Sequence, residues 1–598
     1  MSLRNLAEVL EGRAARTPDC PSVQFMEFVE DGERLASRTY AELDRRARAI
    51  ASRILDRLKP GDRAVLIHEP GLDFVEAFFG CLYAGVIAVP LAPARSTRTR
   101  TRVTGVVRDC EAGLILLSEK QEGQARARLG IEIPALATDT VPDEEASRFR
   151  NGASSRDSIA FLQYTSGSTG DLKGVQISQR ALLYNLAQIR EAMRLDVASV
   201  GVGWLPHYHD MGLIGTILQP VYTGFRVTLM SPQAFVQRPE RWLRAISRFG
   251  GNTCGSPNFG YQLCVDRIPD SALAELDLRS WGLAWCGAEP IQATTLKSFA
   301  RRFAVCGFRA TSFYPCYGLA EATLFVTGGA RGAGPMVKHL SATALELGKI
   351  HPADEEDPEA HAVVGCGFPR RGMSLELVDA CQKRVAPGQV GEIWVRGSSL
   401  GSGYWRQPDA SREQFGAHLA GEPADKFLRT GDLGFWADGQ LFITGRVKDL
   451  IIVEGRNIAP QDLEWTAEHS HAEARRVAAF GVEVEGTEQP ALMVEVKTPK
   501  TLVELEEVGD AVRRKVSSSH DLALHVVFLV RLGSLPTTTS GKLIRSECRR
   551  AYVNRTSAPL LAWHPSTGWT KELSFSSPLA ALNSLVSHDE EIVPRDVS

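Results

Sequence analysis

With 598 residues, 44% hydrophobic and 23% charged, the chain is long enough to bury two or more cores and has the composition of a soluble globular protein. A formal net charge of −3 excludes the basic balance of a nucleic-acid binder, so any phosphate-bearing ligand must be met by local cations. Eleven cysteines, odd in number and without a C-x-x-C or zinc-type spacing, point to free buried thiols in a reducing compartment, which predicts a cytoplasmic protein.

The N-terminus, Met1-Ser2-Leu3-Arg4-Asn5-Leu6, leads into an amphipathic helix rather than a signal peptide. Residues 1–155 then alternate helix-like and strand-like patterns, with 63–67 and 113–117 reading as buried strands. The longest apolar run, 77–92, holds two glycines and a proline and falls short of the ~20 residues a membrane helix needs. It predicts a core helix running into a buried strand, with no transmembrane segment. This alternation continues to about residue 330 and implies a layered α/β domain with largely parallel sheets.

Within it stands Tyr164-Thr165-Ser166-Gly167-Ser168-Thr169-Gly170-Asp171-Leu172-Lys173-Gly174-Val175, after the apolar strand 159–162. Glycines let the backbone approach a ligand, N–H groups and hydroxyls meet phosphate oxygens, and the lysine adds a point charge. The loop predicts a nucleoside triphosphate held by its phosphates. It is not a Walker A loop, because Lys173 is followed by Gly174 rather than Ser or Thr. Read alone, a Ser/Gly-rich surface linker is the alternative.

From Gly388 to Tyr404 the pattern changes to that of a compact β subdomain, and near Arg446 a small terminal domain begins that runs to about 555. Residues 556–598 are rich in Ser and Pro and predict a disordered or loosely docked tail.

Four further blocks follow the glycine-rich loop: Phe313-Tyr314-Pro315-Cys316-Tyr317-Gly318-Leu319-Ala320-Glu321, Arg429-Thr430-Gly431-Asp432-Leu433, Gly445-Arg446-Val447-Lys448-Asp449 and Thr539-Ser540-Gly541-Lys542. In order and spacing the five resemble the adenylate-forming superfamily of acyl-CoA synthetases, luciferases and peptide-synthetase adenylation domains, over roughly residues 5–555. A narrower resemblance, to the fatty acyl-AMP ligase branch, is carried by Trp204-Leu205-Pro206-His207-Tyr208-His209-Asp210-Met211-Gly212-Leu213, Ser256-Pro257-Asn258-Phe259-Gly260-Tyr261 and Gly287-Ala288-Glu289-Pro290. The resemblance implies an α/β fold. A large adenylation domain (1–446) of layered α/β subdomains plus a β subdomain would precede a small mobile α+β lid (447–555) and the tail (556–598).

The implied reaction is attack of a fatty acid carboxylate on the α-phosphorus of ATP, releasing pyrophosphate, followed by transfer of the acyl group to an acyl carrier protein. Both reactants are anionic, so charge must be neutralised as it develops. The resemblance implies that Thr165, Ser166, Gly167, Ser168, Thr169, Gly170 and Lys173 grip the phosphates, while Thr165 and Glu321 hold Mg²⁺, a hard cation suited to oxygen ligands. Gly287, Ala288, Glu289, Tyr317 and Gly318 would line the adenine. Asp432 would accept from the ribose hydroxyls and Arg446 would reach ribose or phosphate. Lys542 would stabilise the transition state by charge, His207 would border the carboxylate, and Lys448 would be the hinge of the lid. Read singly, Glu321, Asp432, Arg446 and Lys542 are also consistent with surface charges and Tyr317 with core packing. His207, His209 and Asp210 have a metal-like spacing, but no further ligand cluster follows them.

Between Glu321 and Gly367-Phe368-Pro369 stand 45 residues, and by comparison with acyl-CoA synthetases an extra segment lies within roughly 338–364. The ligase branch carries an insertion there, held to restrain the lid; a neutral surface loop is the alternative. The expectation is therefore acyl transfer to a carrier protein, with a fatty acyl-CoA synthetase and a catalytically silent lipid sensor as the other two readings. Keeping Lys173, Glu321, Asp432, Arg446 and Lys542 together speaks against the last.

Overall fold

The computed structural model describes residues 3–30, 32–123, 133–150, 154–166, 172–357, 360–370, 372–453, 456–484, 486–497, 501–538 and 542–571. The chain divides into two units. One comprises Met1–Leu450, Gly455–Ala459 and Thr537–Lys542, the other Ile451–Glu454, Pro460–Pro536 and Leu543–Ser598.

The large unit holds two α/β sheets. In the first, Pro21–Val29, Arg226–Met230, Val200–Gly203, Thr253–Ser256, Leu283–Cys286 and Phe313–Gly318 run parallel, with antiparallel strands closing both edges. In the second, Ala135–Ala137, Leu114–Leu117, Arg63–Leu66, Ile87–Pro90 and Ile159–Ser166 are parallel, and Leu172–Ser178 returns antiparallel. Runs such as Leu114–Leu117 are buried at every residue, as strands covered on both faces must be.

The apolar run 77–92 is divided as its sequence predicts. Helix Leu72–Ala84 ends on Gly85 in the left-handed region (φ +68°), and the buried strand Ile87–Pro90 follows. This helix lies so close to Tyr40–Leu55 that a Cβ at Gly80 would come within 2.7 Å of Ile50. Among the described residues no helix is long and apolar enough to cross a membrane.

One topological fact positions the site. Ligands of open α/β sheets gather at the carboxyl ends of the parallel strands. The glycine-rich loop follows Ile159–Ser166, the His207 block follows Val200–Gly203, the Phe259 block continues from Thr253–Ser256, Gly287 follows Leu283–Cys286, and Glu321 follows Phe313–Gly318. Every sequence block of the large α/β region thus leaves the carboxyl end of its strand.

The β subdomain is antiparallel: Met373–Val378, Gly391–Gly397, Glu422–Ala437 and Ala417–Leu419, with Gln440–Arg446 also paired to the long strand. Segment 338–364 forms a hairpin of Val337–Ser341 with Ala360–Val364, and the helix Ala342–Glu346 follows its first strand. Leu340 and Val363 are buried in one cluster with Phe435 and Phe442, whose rings stack at 4.9 Å, so the segment is seated on the β subdomain.

The small unit carries a five-stranded sheet in the order Ala474–Val484, Thr487–Val496, Val526–Arg531, Leu561–His564, Gly568–Thr570, with the helices Pro460–Glu468, Leu502–His520 and Arg545–Val553. This corrects the expectation of a loose tail from 556 onward, because 561–570 are an integral hairpin of that sheet. Trp563 and Trp569 face one another across it. The Arg513 guanidinium lies 4.8 Å over the Trp563 ring, Trp569 Nε1 donates to Asp510 Oδ1 at 3.0 Å, and a Cβ at Gly509 would come within 2.0 Å of the Trp569 ring. The polar composition reflects a short edge hairpin with one wet face, anchored by two tryptophans. Residues 572–598 lie outside the described residues.

Candidate active site

The glycine-rich loop joins two paired strands, and the described residues reach Ser166 on one side and Leu172 on the other. Thr165 pairs with Lys173 and Ser166 with Leu172, while Gly167, Ser168, Thr169 and Gly170 lie outside the described residues. Lys173 Nζ stands 5.0 Å over the ring of Tyr404, and the Tyr404 hydroxyl donates to Glu321 Oε1 at 2.9 Å. Removal from water pushes the Glu321 carboxyl above its ordinary pKa, against the opposing pull of that hydroxyl. Glu321 sits in the tight turn Ala320–Ala322, closed by Thr323 at φ +71°, an unusual conformation for a β-branched residue. The Thr323 hydroxyl donates to Ser399 O at 2.6 Å and holds the turn. Gly318 is obligatory here, since a Cβ would come within 1.8 Å of Leu324 O.

Asp432 is buried at 4% exposure, in register with Arg446 on the neighbouring strand. Its Oδ2 accepts from the Tyr317 hydroxyl at 2.6 Å and its Oδ1 from Arg446 Nε at 2.7 Å. Burial and the adjacent carboxylate push the Tyr317 phenol well above its usual range, and Asp432 raises the Arg446 guanidinium further. Tyr317 therefore remains a donor. The Tyr317 ring is packed in an apolar cluster with Ala322, Val326 and Cys366.

Gly287 has no room for a side chain, since a Cβ would lie 2.7 Å from Cys316 O, and Ala288 takes φ +70°. Glu289 Oε1 accepts from Phe259 N at 2.6 Å, tying this turn to the helix Asn258–Arg267.

His207 is 5% exposed, its ring 4.0 Å from Phe74, and neither ring nitrogen has a hydrogen-bond partner. Burial lowers its pKa to about 3, so it is neutral at physiological pH. His68 is its buried neighbour, also lowered to about 3; its Nε2 lies 2.8 Å from Thr138 Oγ1 and its Nδ1 has no partner. Gln163 Nε2 donates to Tyr208 O at 3.0 Å and links the strand before the glycine-rich loop to this segment. His209 Nδ1 lies 2.6 Å from Asp210 Oδ1. Met211, Leu213 and Ile214 are buried, and a wide π-type turn, Ile214–Leu218, follows. Among the described residues no group of three His, Cys, Asp or Glu side chains forms a metal cluster.

Lys542, in the loop that groups with the large unit, is drawn below its ordinary pKa by burial. Asp210, Glu289 and Asp432 oppose that shift and Arg446 adds to it. Glu321 in turn feels Arg446 and Asp210. The structure therefore brings Lys542, Glu321, Asp432, Arg446 and Glu289 into one electrostatic cluster, with Asp210 as an unforeseen member. Thr539, Ser540 and Gly541 lie outside the described residues. Lys448 stands apart from that cluster, exposed in a turn where Asp449 N and Leu450 N both donate to Arg446 O.

Sequence reasoning missed Tyr404, His68 and Thr323. A signal for Tyr404 was available in Gly401-Ser402-Gly403, a glycine pair immediately before an aromatic residue.

A family model described as AMP-binding enzyme matches residues 10–405. The chain is 40% identical, over 88% of its length and 92% of the relative's, to the medium-chain-fatty-acid–[acyl-carrier-protein] ligase JamA of Moorena producens (strain JHB). It is 36% identical, over 86% and 89%, to the long-chain-fatty-acid–AMP ligase FadD32 of Mycolicibacterium smegmatis. Among solved structures, the fatty acyl-adenylate ligase from L. pneumophila in complex with acyl adenylate and pyrophosphate superposes with a TM-score of 0.74 at 36% identity, covering 94% of this chain and 98% of that one.

Proposed function

We propose a function from the premise that the chain belongs to the AMP-binding enzyme family and, within it, to the fatty acyl-AMP ligases. It is a ligase that activates a medium- or long-chain fatty acid with ATP as the acyl-adenylate, releasing pyrophosphate. It then passes the acyl group to the phosphopantetheine thiol of an acyl carrier protein. The observation that carries this reading is that Lys542 shares its electrostatic surroundings with Asp210, Arg446 and Asp432, and Glu321 with Arg446 and Asp210, while Asp210 and Glu321 follow the carboxyl ends of parallel strands and Asp432 pairs with Arg446 in the β subdomain.

The roles follow from the chemistry of each group. Thr165, Ser166, Gly167, Ser168, Thr169, Gly170 and Lys173 grip the triphosphate. Glu321, a carboxylate taken out of water with one tyrosine hydroxyl on Oε1, fits a hard cation, and with Thr165 it would hold Mg²⁺, which supplies charge neutralisation of the phosphates. Gly287, Ala288, Glu289, Tyr317 and Gly318 line the purine. Asp432 is kept acceptor-only by its two donors and receives the ribose hydroxyls, beside Arg446. Lys542 meets the carboxylate and α-phosphate and acts by charge, with no proton transfer. Neutral His207 would offer its ring N–H to the fatty acid carboxylate with no charge to trap it. Lys448, exposed in a turn two residues past Arg446, is the hinge that lets the lid serve two half-reactions.

Segment 338–364, folded onto the β subdomain, favours the carrier protein over free coenzyme A. The test is a product assay with ATP, Mg²⁺ and a panel of fatty acids, split between free coenzyme A and a holo acyl carrier protein and read by mass spectrometry. Acyl-adenylate with acyl-carrier product and little acyl-CoA is expected; rapid acyl-CoA formation would overturn the carrier assignment.

A further inference from the structure

We propose that Tyr404 is a positioning residue for adenylation, holding the Glu321 carboxylate and the Lys173 ammonium at a set separation on a clip made by residues 401–405. The inference rests on the adenylating function above and on Glu321 as the metal carboxylate.

Tyr404 is 4% exposed and touches both charges, Glu321 Oε1 through its hydroxyl at 2.9 Å and Lys173 Nζ through its ring at 5.0 Å. Its backbone is fixed by pairing to the return strand of the phosphate loop. Ser402 N donates to Gln176 O at 2.9 Å, Gln176 N to Gly403 O at 2.9 Å and Trp405 N to Gly174 O at 2.7 Å. At the other end Gly401 N donates to Glu321 O at 2.8 Å, so one five-residue segment is bonded to both the loop strand and the metal-site turn. The clip needs its glycines. A Cβ at Gly401 would come within 2.9 Å of Val175, and Gly403 takes φ +130°.

The arrangement answers a chemical problem. A lysine and a glutamate that must both face a metal–triphosphate are opposite charges, and left to themselves they would pair with one another. The tyrosine supplies each with a substitute partner, a ring face for the cation and an O–H for the carboxylate. Its hydroxyl keeps the carboxylate oriented, and its ring face holds the ammonium beside it.

The test is calorimetric titration of the full chain with ATP, in the presence and absence of Mg²⁺, for the wild type, Tyr404→Phe, Tyr404→Leu, Glu321→Gln and the Tyr404→Phe/Glu321→Gln double variant. Tyr404→Phe keeps the ring and should lower the affinity gained from Mg²⁺ by about tenfold, the worth of one hydrogen bond to a charged group, with metal-free affinity unchanged. Tyr404→Leu should lower the metal-free affinity as well. The double variant should match Glu321→Gln alone, because both changes remove one interaction. A Phe variant that loses equal affinity with and without Mg²⁺, that loses none, or that fails to fold would make Tyr404 a packing residue and overturn the inference. A wild type that gains nothing from Mg²⁺ would overturn it too. Acyl-adenylate formation by the same wild-type preparation separately decides whether the adenylating function stands.

Discussion

The two ends of the site handle buried polarity in opposite ways. Around Asp432 every polar partner is met: Tyr317 and Arg446 each donate to one carboxylate oxygen, and the backbone N–H of Asp432 donates to Thr430 Oγ1 at 3.0 Å. Around His207 the reverse holds. Three ring nitrogens, two on His207 and one on His68, are buried without a hydrogen-bond partner, against the tight face of Phe74. Burying an unpaired polar group costs free energy that an apolar residue would not incur. The satisfied end is built to hold its own shape, and a ligand there adds bonds to an acceptor already aimed. The unsatisfied end gives up stability, and in the proposed function its unpaired polar atoms are those that meet the fatty acid carboxylate.

Lys542 lies within reach of both ends, Asp210 on the histidine side and Asp432 with Arg446 on the other, and its removal should have the largest effect. Lys542→Ala is expected to slow acyl-adenylate formation by on the order of 10²–10³, as loss of one preorganised charge does elsewhere. Because burial disfavours its ammonium, the variant should be no less stable. Single-turnover formation of acyl-adenylate, with a thermal melt alongside, checks both halves. A slow variant that is also unfolded would show the lysine to be structural.

At the satisfied end, Asp432→Ala should cost stability as well as ATP affinity. It leaves the Tyr317 hydroxyl without its acceptor and the Arg446 guanidinium without its counter-charge, for about 1–3 kcal/mol in the folded state. At the unsatisfied end the sign should reverse. His207→Phe keeps an aromatic ring against Phe74 and deletes both unpartnered nitrogens, so the protein should gain about 1 kcal/mol or stay level while adenylation slows. Denaturant midpoints of the two variants on one axis would sharpen the contrast. Two destabilised variants would break it.

Much of the candidate site was legible beforehand because its residues sit in short contiguous blocks. Thr165 with Lys173, Glu321, Asp432, Arg446 and Lys542 each stand in a local pattern of glycines and charges. The sequence blocks of the large α/β region also follow the carboxyl ends of its strands, where ligands of open α/β sheets gather. What escaped was made by distance. Tyr404 meets its partners 83 residues away at Glu321 and through pairing with Val175, and nothing in its own neighbourhood names them. His68 reads as a lone histidine after a strand, and its burial follows from helix Leu72–Ala84 lying over it. The hairpin of Trp563 and Trp569 was hidden by composition, since an edge strand pair with one exposed face has too few apolar residues to stand out from a Ser/Pro-rich tail.

The smallest expected effect is the acid dependence of stability at the unsatisfied end. His68 and His207 are held at about 3 in the folded protein against the ordinary 6.5. Between those values the unfolded chain binds protons that the folded chain refuses. Their contribution is therefore fully present above pH 6.5 and is lost as pH falls toward 3. From pH 7 to 5.5 each histidine should withdraw about 1 kcal/mol. His207→Phe removes one of the two, so the variant should lose about 1 kcal/mol less than the wild type over that interval, whatever the carboxylates contribute to both. Equal losses would mean that His207 takes up its proton in the folded state, and the contrast between a satisfied and an unsatisfied end would fail at its most exposed assumption.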